Sequence, residues 1–324
     1  DGKFILMSKV DKTTVYITDT VGNVLNEFDF TGGSEQEVGN SVFNIAFYRG
    51  NGLLVNGQRG FNAYDSSGAF IKNHNNKTAL RAYGGNMQYK SFVLNDTTIV
   101  LSLKNSVTDR MRRSFEEEFF ENYHGATVMD LNSIDFDFVF PIEEQSIYNQ
   151  NKQHYGDILS LFDFDSNKFY SLHNPDQRLY IYSRNFKLIE SIPLDFKYFK
   201  TPYSYKFGAS VNYEDGYDIV NSLYRELEAY DGNVCITYRS GIPIEQFEQL
   251  KSSDQLPGLF QQYMKYYLTI FEKGKLKAKE VMLPFPSVGL AHYENNNSIL
   301  LYTNSAVTET EEYTVFYKAR LIQK

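Results

Sequence analysis

No tryptophan occurs in these 324 residues, and only one cysteine, eight prolines and five histidines do. A lone cysteine, Cys235, cannot close an intramolecular disulfide. It lies in the apolar run NVCITYRSG and is expected to be a small buried hydrophobe. Eight prolines are too few for a linker-rich or disordered chain. Positive charge is also in short supply, with a formal net charge of −8. That opposes nonspecific binding to nucleic acid, which needs a basic field to displace counterions, and, a local basic patch aside, disfavours electrostatic attraction to anionic lipid. No stretch reaches the ~18 to 20 apolar residues of a membrane span. The sequence begins Asp1-Gly2 without an initiator Met, which is compatible with a removed signal or lipid-attachment segment.

What is abundant is aromatic: 26 Phe and 26 Tyr, residues that favour pleated strands. They recur in a pattern. Six times an alternating strand meets a turn and then a second strand, at 14–30, 60–75, 126–142, 178–195, 267–284 and 313–324. Another alternating strand precedes each copy, at 3–9, 52–58, 97–103, 168–174, 233–239 and 298–304. Five of those are preceded by one more, at 43–48, 89–95, 157–164, 204–211 and 288–293. The residues leading into the hairpin turns are Asp19, Asp65, Asp130, Ser183, Glu272 and Lys318, spaced 46, 65, 53, 89 and 46 residues apart. A four-stranded unit of about 46 residues with insertions accounts for the series, in the range of propeller blades. The reading is an all-β, six-bladed β-propeller spanning 1–324 as one domain.

Two long intervals hold helical segments, 108–124 and 243–267. In the first, Phe115, Phe119, Phe120 and Tyr123 make a stripe expected to pack on the blade beneath. In the second, Phe247 and Leu250 precede a break at Pro257-Gly258, after which Leu259, Tyr263 and Tyr267 repeat at i+4. The first copy lacks a visible innermost strand and the sixth an outermost one.

The turns YITDTVGN and FNAYDSSG, the Trp-free Tyr- and Phe-rich strands and the sixfold count resemble six-bladed propellers of the TolB-like and NHL-like kind. More closely, the chain is similar to secreted or lipid-anchored Bacteroidales propellers of unknown function. The resemblance implies a location in the periplasm or cell envelope and transfers no catalytic residues. WD and kelch signatures are absent.

No motif marks a metal or cofactor site. The five histidines, His74, His124, His154, His173 and His292, sit in separate segments without zinc-type spacing. The acidic runs DFDF (135–138) and DFDSN (163–167) read as ordinary alternation and a solvated turn. There is no nucleophile elbow, and Gly32-Gly33 and Gly84-Gly85 lack the lysine and helix of a phosphate loop. What remains are polar residues at strand ends: Arg49, Arg59, Arg81, Arg178, Tyr238, Arg239 and His292. Around a propeller axis these could meet a ligand, where arginine offers a planar fork for carboxylate or phosphate. The other reading has them pairing with loop acids. Under the first reading, Arg239→Ala leaves the melting temperature nearly unchanged.

The sequence thus favours a noncatalytic module binding a small molecule or an envelope protein. The alternative is a hydrolase or lyase with its site at the central channel.

Overall fold

The computed structural model describes residues 4–8, 13–19, 23–31, 38–39, 42–49, 52–57, 60–74, 90–101, 115–133, 135–156, 158–211, 216–253, 262–283, 288–294, 298–303 and 316–322. The chain is all-β, and its antiparallel sheets are the blades of a β-propeller. It divides into two compact units, residues 1–110 with 126–139, and residues 111–125 with 140–324.

In the first unit, β1 (Phe4–Ser8), β2 (Thr14–Asp19) and β3 (Val24–Asp29) form a three-stranded meander. Next come β4 (Val42–Tyr48), β5 (Gly52–Gly57), β6 (Gly60–Tyr64) and β7 (Phe70–His74), then β8 (Ser91–Val93), β9 (Thr98–Leu101), β10 (His124–Asp130) and β11 (Phe136–Pro141). Side-chain alternation gives β5 and β6 two apolar faces. Leu53, Val55 and Tyr64 pack with Val15, Ile17 and Phe30 of the first sheet, while Leu54, Phe61 and Ala63 pack with Ile99, Leu101 and Met129 of the third. In DFDF, Asp135 and Asp137 are exposed beside half-buried Phe136 and Phe138, as alternation requires.

In the second unit, helix α1 (Glu117–Glu121) precedes α2 (Ile147–Asn151) and the two-residue β12 (Gln153–His154). A four-stranded sheet follows: β13 (Leu159–Asp165), β14 (Lys168–Asn174), β15 (Arg178–Ser183) and β16 (Leu188–Pro193). After β17 (Tyr205–Lys206) and α3 (Tyr217–Val220) come β18 (Leu223–Tyr230), β19 (Asn233–Arg239), helix α4 (Ile244–Ser252), β20 (Tyr266–Glu272) and β21 (Lys275–Met282), the strands again forming one sheet. The last sheet is β22 (Val288–Glu294), β23 (Ser298–Thr303) and β24 (Phe316–Arg320). Leu172, Leu179, Tyr224, Leu227 and Tyr238 join the first two of these sheets. Cys235, Leu268, Leu290 and Leu301 join the second to the third, so Cys235 is the buried hydrophobe expected.

The aspartate before three of the hairpin turns has a local cause. Asp65 Oδ1 accepts from the Ser67 and Ala69 N–H groups, Asp19 Oδ1 from Asn23 N–H and Asp130 Oδ1 from Asn132 N–H. Each carboxylate closes its own turn. At Asp231-Gly232 both residues have positive φ, 50° and 75°, the tight hairpin geometry that glycine and aspartate tolerate.

Three expectations are corrected. The segment 204–211 is not an inner strand: only Tyr205–Lys206 pairs, with Gln153–His154. Its alternation is real, but Phe207 and Val211 pack against the aromatic cluster of Phe115, Phe119, Phe120, Tyr148 and Tyr155. The inner strand there is β18, whose register shifts between Tyr224 and Glu226. Helix α1 is shorter than its stripe, because Phe115 has φ 45° and cannot continue it, although its ring still meets Phe119 at 6.1 Å. Tyr267 belongs to β20 and not to a helix. Residues 108–114, the Pro257-Gly258 break and both glycine pairs lie outside the described residues.

DFDSN is also tighter than a solvated turn. Asp163 is buried and accepts the Ala229 N–H at 2.9 Å, and Asp165 accepts the Gly232 N–H at 2.7 Å. These two carboxylates lace β13 to the next sheet.

Candidate functional site

On β13 and β14 the register sets Ser160 directly opposite His173. One face of this sheet carries Leu161, Tyr170 and Leu172 into the apolar core; the other therefore carries Ser160, Ser171 and His173. Ser160 Oγ lies 2.7 Å from His173 Nδ1, and the Tyr123 hydroxyl lies 2.9 Å from the same Oγ. Gly125 makes this approach feasible, since a Cβ there would sit 3.1 Å from both His173 Cε1 and Ser160 Cβ. His173 is fully buried, ringed by Tyr123 at 6.2 Å and Tyr180 at 5.7 Å. Its imidazole lies beside the Pro141 carbonyl, while Nε2 forms no hydrogen bond within ordinary geometric limits. Loss of water pushes its pKa down to about 3, so the ring is neutral. Tyr123, His124, Gly125 and Ser160 are only half-buried. The hydroxyl end of the chain is the accessible end.

Behind it stands a buried polar wall. The Asp176 carboxylate accepts from the Tyr180 hydroxyl and Ile147 N–H, and burial raises its pKa. The Tyr182 hydroxyl donates to Glu143 at 2.9 Å, and the Tyr224 hydroxyl to the Asp176 carbonyl at 2.9 Å. The Tyr180–Asp176 bond fixes one of the rings against which His173 rests.

The strand-end residues are dispersed. Arg49 is exposed and pairs with Asp96, Nε to Oδ1 3.4 Å. Arg178 donates from Nε to Ser191 Oγ at 2.8 Å within its own sheet. Tyr238 is fully buried and donates to Glu280 at 2.6 Å. Arg239, on the opposite face of β19, is 8% exposed and donates to the Asp218 carbonyl and, at 3.6 Å, to Met264 Sδ. Burial lowers its pKa to about 10. This placement revises the expectation that Arg239→Ala is nearly silent. Arg59 and Arg81 lie outside the described residues, and for His292 only the backbone, in β22, is described. His154 is structural: Nε2 is 3.0 Å from the Ala209 carbonyl and the ring stacks on Phe115 at 4.6 Å.

The sequence reading passed over Ser160 and His173 because it sought histidines by linear spacing. The available signal was their period-two placement in strands otherwise filled with Leu, Phe and Tyr. Among the described residues no cluster of three or more His, Cys, Asp or Glu could hold a metal ion, and no helix is long and apolar enough to cross a membrane.

No protein-family model matches the chain, and no curated protein matches it. Solved structures do. A DUF4221-family protein from Bacteroides vulgatus superposes with a TM-score of 0.67 at 14% identity, over 98% of this chain and 90% of its own. A candidate exported protein from Bacteroides fragilis gives 0.52 at 12% identity, over 93% and 77%. The Cps50 (Swd1) β-propeller domain of Myceliophthora thermophila gives 0.41 at 13% identity, over 99% and 94%. At such identities the first two likenesses speak to fold alone.

Proposed function

We propose that the protein is a noncatalytic binding module of the bacterial cell envelope, with its six sheets closed into one six-bladed ring over 1–324. The envelope setting is supported by the likeness to the exported Bacteroides fragilis candidate. The binding role is carried by one observation: a half-exposed hydroxyl pair, Tyr123 and Ser160, ordered by a fully buried neutral imidazole. Hydroxyl, phenol and neutral imidazole offer donors and acceptors without charge, which suits an uncharged ligand bearing hydroxyl or carbonyl groups. Ring closure would bring inner strands such as β13 around a common axis, where propeller ligands gather.

The same geometry weighs against the hydrolase alternative. A serine beside a histidine invites that reading, but a base with a pKa near 3 is too weak to hold the serine proton at neutral pH. The test is a thermal-shift and calorimetry screen of neutral polyols, amides and sugars beside carboxylates and phosphates. A neutral ligand should stabilise the native protein and lose its effect in Ser160→Ala and Tyr123→Phe. Ligands that bind these variants unchanged would refute the site.

A further inference from the structure

The outermost strand of the fifth sheet, β21, departs from its counterparts. Residues 272–280 read Glu-Lys-Gly-Lys-Leu-Lys-Ala-Lys-Glu in a chain of net charge −8. The outer strands β3, β7, β11 and β16 hold at most one lysine each. Both acids of the run are engaged. Glu272 binds Lys277 at 3.0 Å, and Glu280 accepts the Tyr198 N–H and the Tyr238 hydroxyl. Lys273, Lys275 and Lys279 are exposed and make no ion pair among the described residues.

Large apolar side chains stand beside them. Leu276 is 52% exposed and Met282 59%. They register opposite Phe271 and Tyr267, so both lie on the sheet face that buries those rings. Tyr198, 43% exposed, stacks on Tyr267 at 4.9 Å and is pinned by its bond to Glu280. Lysines alone would guard an open edge against strand pairing. Other outer strands also expose apolar side chains, Leu25, Ile71 and Ile189 among them, so what sets β21 apart is that its apolar residues stand within a lysine run. Cationic side chains interleaved with Leu, Met and Tyr match the lipid–water boundary, with ammonium groups at phosphates and apolar groups below them.

We propose that β21 and Tyr198 form a docking edge for an anionic phospholipid bilayer surface. Charge complementarity selects this partner: Lys273 and Lys275 make no ion pair among the described residues, Lys279 is only partly offset by the neighbouring Glu280, and the apolar residues share their strand. The surface is separate from the Tyr123–Ser160–His173 site, so neither proposal depends on the other.

Cosedimentation of the full chain with vesicles tests it. Binding is expected to phosphatidylcholine vesicles doped with phosphatidylglycerol, to fall steeply with salt, and to be absent from pure phosphatidylcholine. Combined Lys273→Glu, Lys275→Glu and Lys279→Glu should weaken it roughly a hundredfold or more. A matched reversal at Lys72, Lys168 and Lys187 should leave most of it, which controls for net charge. Leu276→Ser with Met282→Ser should weaken binding while keeping its salt slope. Equal binding to both vesicle types, no binding, an indifferent Lys273/Lys275/Lys279 variant, or capture by soluble polyglutamate in place of vesicles would overturn the proposal.

Discussion

Glu226 is 5% exposed on β18 and accepts from Thr237 Oγ1, from the Tyr302 hydroxyl at 2.8 Å and from the Leu290 N–H. It thereby ties the fifth sheet to the sixth. Burial outweighs these bonds and raises its pKa to about 7 from an ordinary value of 4.5. Between those two values the folded chain holds a proton that the unfolded chain has released. Glu226's own contribution to stability should therefore fall as pH rises through this window, by about 3 kcal/mol in all, while buried His173, its pKa lowered to about 3, contributes in the opposite direction below its ordinary 6.5. Chemical denaturation at pH 4.5, 6 and 7.5 should show the wild type losing stability relative to Glu226→Gln by about that amount as pH rises, the histidine contributions being common to both. An unchanged slope in the variant would assign the effect elsewhere. Arg239 carries a second expectation at this scale. Replacing it with Ala strands the Asp218 carbonyl and opens a void, costing about 2 kcal/mol, read as a lowered denaturation midpoint. Neither burial was legible in the sequence, because an acid or arginine inside an alternating strand looks the same whether its face is wet or covered.

At the level of elements, hairpin turns were the most legible feature. Asp19, Asp65 and Asp130 each bond backbone only two to four residues away, so their signal is local. Asp65→Ala should lower stability by freeing the Ser67 and Ala69 N–H groups, detectable as faster amide exchange confined to residues 65–69. Inner strand β18 was missed for the opposite reason. Its bulge puts Tyr224, Glu226, Leu227 and Ala229 inside, which breaks the period of two, and its charges mimic a loop. The aromatic stripe of the first insertion packs, but mostly on connecting segments and not on the blade beneath, with Phe120 1% exposed between Tyr148 and Phe207 at 5.2 and 4.7 Å. Phe120→Ala should cost about 3–5 kcal/mol. A cost below about 1 kcal/mol would show that the insertion does not depend on that ring.

On the scale of the whole molecule, repetition carried the fold. Sheets of three or four sequential strands follow one another with inner strands half-covered, middle strands buried and outer strands exposed, as in β14 against β16 and β19 against β21. The Ser160–His173 pair was not legible because it depends on cross-strand register, which sequence spacing leaves open. The account rests on the six sheets closing into a single ring, which would make the sheet of β1–β3 neighbour to that of β22–β24. Cys235 is buried, so surface spin labels can be placed without interference. The decisive measurement is the electron–electron distance between labels at Asn26→Cys on β3 and Arg320→Cys on β24. A closed ring predicts one narrow distribution on the order of 20–30 Å, two or three sheet spacings including the label arms. A broad distribution, or a mean several times longer, would contradict closure and remove the reason for ligand groups to converge.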